Sequence, residues 1–396
     1  MRKNLQYKIL AAVMALGSLG LYTAAPAAAE VVVNDNTLYA NGTPIVFESG
    51  EEYGGNYTDI FGAGSGTSSG DISGGNVTIN TDTDKEFKQI FGGYTGSGNV
   101  HDNHVIINSG VVSEVCGGIG ESNDKDDTLT NNTVTINGGT INVVYGASSD
   151  NASIINNKVY ITDCINIFGI AGGTSQDNNA DSNAVYISDG FVSGGVYGGS
   201  SVNGSADSNA VYIRGGSIKG FVRGGSSSSS TANNNIVDIS SGSVSAAVSG
   251  GYSEGTAETN NNVVNISGNA EVTNTIYGGY SESGCADNNK IIISGDAEVN
   301  SVYGGYSVSG GSTNSNIVNI SGGSVEGFVY GGYSVSGGSA NDNEIIISGD
   351  ADIEKAKLYG YNDSASGTGN TLTIDGWSDS TQSIENFNDI NFNNIN

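Results

Sequence analysis

The chain has 396 residues, of which 62 are glycine and only 13 are Lys or Arg, for a formal net charge of −28. So acidic a surface repels nucleic acid and anionic lipid, so no nucleic-acid partner is expected. Low hydrophobicity with much Gly, Ser and Asn is also a composition of disorder. Here, however, the apolar residues fall in regular short clusters, and Pro44 is the only proline after residue 29.

In chain order, Arg2, Lys3 and Lys8 come first, around the start of the apolar run Ile9 to Leu21, and small residues follow at Ala27 and Ala29. Residues 1–29 therefore read as a secretory signal peptide, with an uncleaved membrane anchor as the alternative. No later stretch approaches the ~20 apolar residues of a membrane-spanning helix. Removal of Arg2, Lys3 and Lys8 takes the charge from −28 to −31. Residues 30–56, which include "VVVNDNTLYANGTPIVFESG", read as an N-terminal cap for an otherwise open sheet edge.

Residues 57–375 repeat. Glycine pairs or their counterparts recur at Gly62, Gly92, Gly117, Gly146, Gly172, Gly198, Gly224, Gly250, Gly278, Gly304, Gly331 and Gly360, most often 26 residues apart. They are expected to be turns, each preceded two places earlier by an aliphatic residue such as Val196, Val222 or Val302. Asn-x-Val-x-Ile or a close variant follows in each unit, and eleven of the twelve copies carry the Asn. A weaker Ser-Gly or Gly-Gly turn then leads to an isolated aliphatic such as Val192, Ile218 or Val244.

Alternating β-branched residues over three to five positions signal strands. Each unit thus holds about three short strands, and each strand matches its counterpart one period later. Antiparallel hairpins would not need that match; a coil with one unit per turn does, because like then stacks on like about 4.8 Å away. The expected fold is all-β, a single-stranded parallel β-helix (β-solenoid) of about twelve turns of ~26 residues. Leucine-rich repeats fit poorly, since only Leu38, Leu129, Leu358 and Leu372 follow residue 29. Propeller blades need about 40 residues.

The asparagines Asn183, Asn209, Asn235, Asn262, Asn289, Asn316 and Asn343 are expected to face inward at a corner and bond to the turns above and below. The rival reading is a local Asx-turn before each strand. Residues 376–396 read as a closing segment, with Trp377, Ile384, Phe387, Ile390, Phe392 and Ile395 outside the 26-residue scheme.

The signal peptide, the Gly/Asn/Ser-rich solenoid and "GWSDSTQSIENFNDINF" together resemble the passenger domains of autotransporters (type V secretion), with a pertactin-like parallel β-helix. The resemblance implies a right-handed coil, export across an inner membrane and passage through an outer-membrane β-barrel to the surface. No amphipathic barrel strands stand after residue 375 here, so a translocator barrel is expected downstream or as a separate polypeptide, or the protein is released.

No catalytic constellation or metal motif stands out, and no cofactor is expected. His101 and His104 share one turn and read as solvated loop residues. Asp181, Asp207 and Asp287 precede the repeat Asn by two places. Neighbouring copies put Asn233, Asn260 or Asn314 there, which suits an Asx-turn better than the paired carboxylates of a glycosidase. Cys116, Cys164 and Cys285 are too irregularly spaced for a disulfide framework and are expected free.

Tyr277, Tyr303, Tyr330 and Tyr359 occupy one column, and Tyr252, Tyr280, Tyr306 and Tyr333 another. Because neighbours alternate along a strand, the first column is expected outside as an exposed aromatic stripe able to bind glycans or proteins of a host or bacterial surface. The bland reading is that stacked tyrosines only cover and stiffen the strand face. The functional expectation is an exported cell-surface or released protein that acts as an adhesin or structural element. The alternatives are a β-helix polysaccharide-degrading enzyme and an inert spacer.

Overall fold

A computed structural model describes residues 30–34, 37–40, 43–45, 60–64, 68–80, 86–121, 124–376, 381 and 383–394. The signal peptide, residues 46–56 of the cap, Trp377 and Ile395 lie outside the described residues. The described residues form strands, turns and bends with no helix, and the parallel strands stack as a β-solenoid of about twelve turns. The chain divides into two compact units, residues 1–185 and 186–396.

In the first unit, Asn76–Asn80, His104–Ser109, Thr133–Ile136 and Lys158–Ile161 pair in parallel, with Val77, Val105, Val134 and Val159 in one column. A second sheet carries the glycine pairs, in Ile60–Gly64, Glu86–Thr95, Val111–Gly120, Thr140–Ser149 and Asn166–Ser175. A third, of five short strands, stacks Ile72, Val100, Leu129, Ile154 and Ala180. At the N-terminal edge, Glu30–Asn34 joins Asn76–Asn80 in parallel, and Thr37–Ala40 and Thr43–Ile45 then add antiparallel strands. The direction of pairing thus reverses at the end of the stack.

The second unit repeats the first two sheets. Val211, Val237, Val264, Ile291, Val318, Ile345 and Leu372 form one column, although their spacing varies between 26 and 27 residues. Val222, Val248, Ile276, Val302, Val329 and Leu358 form another. Alternation explains both: Val211 and Ile213 are fully buried, while Tyr212 between them faces outward. The third side narrows to the small buried residues Ala206, Ala232, Ala286 and Ala340. One such turn cannot offset the backbone entropy of ordering itself, so stability accrues between neighbouring turns.

Two expectations are corrected. The glycine pairs are not turns; they lie inside strands, as in Glu298–Ser307. A Cβ on Gly304 would stand well inside contact distance of the Gly331 carbonyl oxygen, and one on Gly305 would stand 2.6 Å from Asn316 Nδ2. Close approach, rather than a positive φ, requires glycine at both positions. The left-handed corner is instead the residue just before each Asn: Asp102, Asn131, Asn156, Ser182, Ser208, Asn234, Asn261, Asn288, Ser315 and Asp342 have φ of 55–60°. In the copy ending at Asn370 that place is taken by Gly369 at φ +70°. Asn, Asp and Gly are the residues that tolerate this conformation best.

The closing segment is also not outside the scheme. Ser383–Glu385 pairs with Lys357–Tyr359 and Asp389–Asn393 with Thr371–Asp375, placing Ile384 on Leu358, Ile390 on Leu372 and Phe392 on Ile374. It is one more coil, shortened on one side. Ile390 and Phe392 continue inward columns yet are 43% and 63% exposed.

Candidate functional site: the tyrosine face

The polar corners determine what is left for function. Asn157 donates its backbone N–H and Nδ2 to Asn183 Oδ1 at 2.9 and 3.1 Å. In the second unit each corner Asn does the same to the next, through Asn235, Asn262, Asn289, Asn316, Asn343 and Asn370. Asn209 joins that column through its N–H to Asn235 Oδ1 at 2.8 Å. The column ends on Asn388, which accepts from the Asn370 N–H at 2.9 Å. Apart from Asn388, these corners are 0–1% exposed, so each bond answers a buried amide that would otherwise be left without a partner.

A second polar column is absent from the sequence expectations. Ser227, Ser253, Ser281 and Ser307 follow the glycine pair by two places and point inward. Ser281 Oγ donates to the Ala257 carbonyl at 3.0 Å and accepts from the Gly284 N–H at 2.7 Å, holding one turn to the loop beside it. A Ser or Thr at the same place in ten of the twelve copies is the signal that marks it, hidden by the abundance of serine elsewhere.

The carboxylates weighed for catalysis serve a third column. Asp207 Oδ1 accepts from the Asn233 N–H at 2.6 Å and Asp287 Oδ1 from the Asn314 N–H at 2.6 Å. Between them Asn233 and Asn260 accept in the same way. Asp and Asn interchange because the shared task is to accept a backbone N–H from the next turn, and the aspartates also accept a hydroxyl there, Asp207 from Thr231 and Asp287 from Ser312; the bonds run between turns rather than within an Asx-turn. Asp181 sits at the matching place on the third sheet of the first unit.

His101 Nδ1 lies 2.7 Å from Asp102 Oδ2. His104 is not in a loop; it opens the strand His104–Ser109, half-buried, and burial pulls its pKa down. No disulfide joins Cys116, Cys164 and Cys285 among the described residues. No group of three or more His, Cys, Asp or Glu there is arranged to hold a metal ion.

The outward side of the glycine sheet in the second unit is where aromatic chemistry gathers. Tyr277, Tyr303, Tyr330 and Tyr359 stack in one column with centroid distances of 5.5, 5.1 and 4.6 Å. Tyr252, Tyr280, Tyr306 and Tyr333 stack in another at 4.9, 5.2 and 5.1 Å. The columns interlock edge to face: Tyr277 with Tyr280, Tyr303 with Tyr306 and Tyr330 with Tyr333, at 77–87°. Such contacts contribute about 0.5–1.5 kcal/mol each beyond area burial.

All eight rings are half-buried, not openly exposed as the stripe was expected to be. Ring faces are covered by neighbouring rings, so the surface shows ring edges and hydroxyls. Face-on stacking by a sugar ring is blocked along the columns for that reason. The Arg223 guanidinium lies 3.3 Å from the Tyr252 centroid and closes that stack on its N-terminal side. Phe328, 42% exposed, flanks Tyr330 and Tyr359 at 6.2 and 6.4 Å. Burial, followed by the charges of neighbouring rings, pushes the phenols of Tyr303 and Tyr330 up; burial, followed by Glu282, does so for Tyr280. Tyr280, Tyr303 and Tyr330 therefore stay neutral at ordinary pH.

No family model, curated protein or solved structure matches this chain.

Proposed function

We propose that this protein is an exported, surface-displayed or released β-solenoid of the autotransporter-passenger kind, which works as a structural and adhesive element. The N-terminal 29 residues and the repeat composition support export. The observation that carries the adhesive part is the interlocked tyrosine face. The corner Asn, the inward Ser and the Asp207–Asp287 column all spend their hydrogen bonds between turns. The tyrosine face, edged by Phe328 and Lys357, is left to meet a partner with hydroxyls and aromatic edges. Those groups suit a protein or glycan surface that offers hydrogen-bond acceptors and shallow apolar contact.

The test uses the full chain in two steps. N-terminal sequencing of extracellular protein is expected to begin near Glu30; retention of residues 1–29 inside the cell would defeat the export reading. Arrays of glycans and surface proteins are then probed with the wild type and with Tyr303→Ala plus Tyr330→Ala. Binding that the double variant loses, with its β-sheet spectrum intact, supports adhesion through this face. Binding that survives in the variant would overturn adhesion through this face, and no binding by either leaves a spacer.

A further inference from the structure

The eight tyrosines form an unbroken set of ring contacts. Each within-column neighbour stands 4.6–5.5 Å away by centroid, and the edge-to-face contacts between the columns fall within the same range. Among the described residues, one phenol of the eight is hydrogen-bonded to a carboxylate: Tyr280 Oη donates to Glu282 Oε1 at 2.8 Å. A phenol that loses an electron becomes a strong acid, so its oxidation is far easier where a base already accepts its hydrogen bond and can take the proton. Rings in van der Waals contact also exchange an electron readily. Both conditions meet at this one ring.

We infer that the tyrosine face is a one-electron oxidation relay whose resting site is Tyr280. A one-electron oxidant, such as a peroxidase intermediate or a photo-oxidised metal complex, takes an electron from any accessible ring of the cluster. The vacancy passes between touching rings to Tyr280. There the O–H bond breaks, the proton forms an O–H bond on Glu282 Oε1, and a neutral tyrosyl radical remains. The oxidant is reduced by one electron, and charge is conserved because the carboxylate becomes neutral as it takes the proton. A one-electron reductant reverses the step, with Glu282 returning the proton. Burial and then Glu282 push the Tyr280 phenol up, so the resting ring keeps the proton it must give. This inference concerns the same face as the adhesive reading but does not depend on it.

The experiment exposes the full chain to photo-generated tris(bipyridyl)ruthenium(III), traps radicals with a nitroso spin trap and maps the adducts by peptide mass spectrometry. Tyr280 is expected to carry several-fold more adduct than Tyr212, which stacks on Tyr186 at 4.9 Å on the other sheet. In Glu282→Gln the amide cannot take up the proton, and the share of Tyr280 is expected to fall to that of its neighbours. Oxidation of Tyr280 is also expected to slow in deuterium oxide in the wild type and to lose that slowing in the variant. Tyr280→Phe supplies a second arm, in which adducts move to Tyr252 and Tyr306. Adducts that simply follow exposure, or a Tyr280 share unchanged in Glu282→Gln, would overturn the inference.

Discussion

Asn235 gives both its backbone N–H and its Nδ2 to the single Oδ1 of Asn262, at 2.8 and 3.1 Å. One oxygen therefore answers two buried donors across a sequence gap of 27 residues. Asn262→Leu leaves both donors unanswered, each costing about 1–3 kcal/mol. In urea titrations the variant is expected to unfold earlier, with amide exchange rising first around residues 235 and 262. Local exchange unchanged from wild type would mean that water replaces the lost oxygen.

Gly305→Ala tests close approach against turn formation. Its Cβ would meet the Ala286 carbonyl and Asn316 Nδ2 inside contact distance, so the strand must move. Overpacking of this kind costs about 1–3 kcal/mol or more. A clear fall in the thermal midpoint is expected. If the glycine were not needed for close approach, alanine would be neutral or would stabilise by about 0.4–1 kcal/mol, since this position has no positive φ.

Alkaline titration reads the tyrosine face. The phenols of Tyr280, Tyr303 and Tyr330 are pushed up in the folded state, so above pH about 10 the unfolded chain releases protons that the folded one keeps. Their contribution is complete below that pH and is lost as pH climbs through the folded values. The tyrosinate absorbance of these three, read as the difference from their Phe variants, is expected to appear together with loss of β-sheet signal rather than before it. Tyr303→Phe plus Tyr330→Phe keeps the stacks and should make the alkaline loss less steep.

Arg223→Gln removes the cation over Tyr252 while keeping a polar side chain beside Ser226. A loss of about 0.5–2 kcal/mol is expected, measured by denaturant midpoint. An unchanged midpoint would show that the guanidinium is held by solvent rather than by the ring.

Thiol labelling should follow burial. Cys116 is fully buried beneath Phe91 and Tyr94, and burial pushes its thiol well up, so alkylation of the native protein is expected to strike Cys285 first. All three thiols should label once the chain is denatured. A mass two hydrogen atoms short in the unreduced protein would reveal a disulfide and contradict the stacking register.

Much of this architecture is legible in the sequence because its period is legible. Val237 and Val264 can be placed in one column without coordinates, as can the corner asparagines. The glycine pairs are harder to read, since a turn and a close backbone approach both select glycine, and only coordinates show which one operates at Gly304. The inward Ser281 column hides among other serines. The last coil escapes because Asn388 follows Asn370 by 18 residues, far short of the usual period. Tyrosine columns are visible in the letters, but the tilt that turns ring faces toward one another is not.

The corner asparagines reach one another across gaps of 25, 26, 27 and 29 residues, yet the contact is the same each time. Loops absorb most of the difference, and where a strand takes part it does so as a local register shift, between Val272 and Thr275 and between Ile79 and Asn80. A gene for such a chain can therefore gain or lose a whole coil by unequal recombination, or a residue or two within a loop, and every surviving layer still finds its match. Length is free to drift during evolution while the cross-section stays fixed.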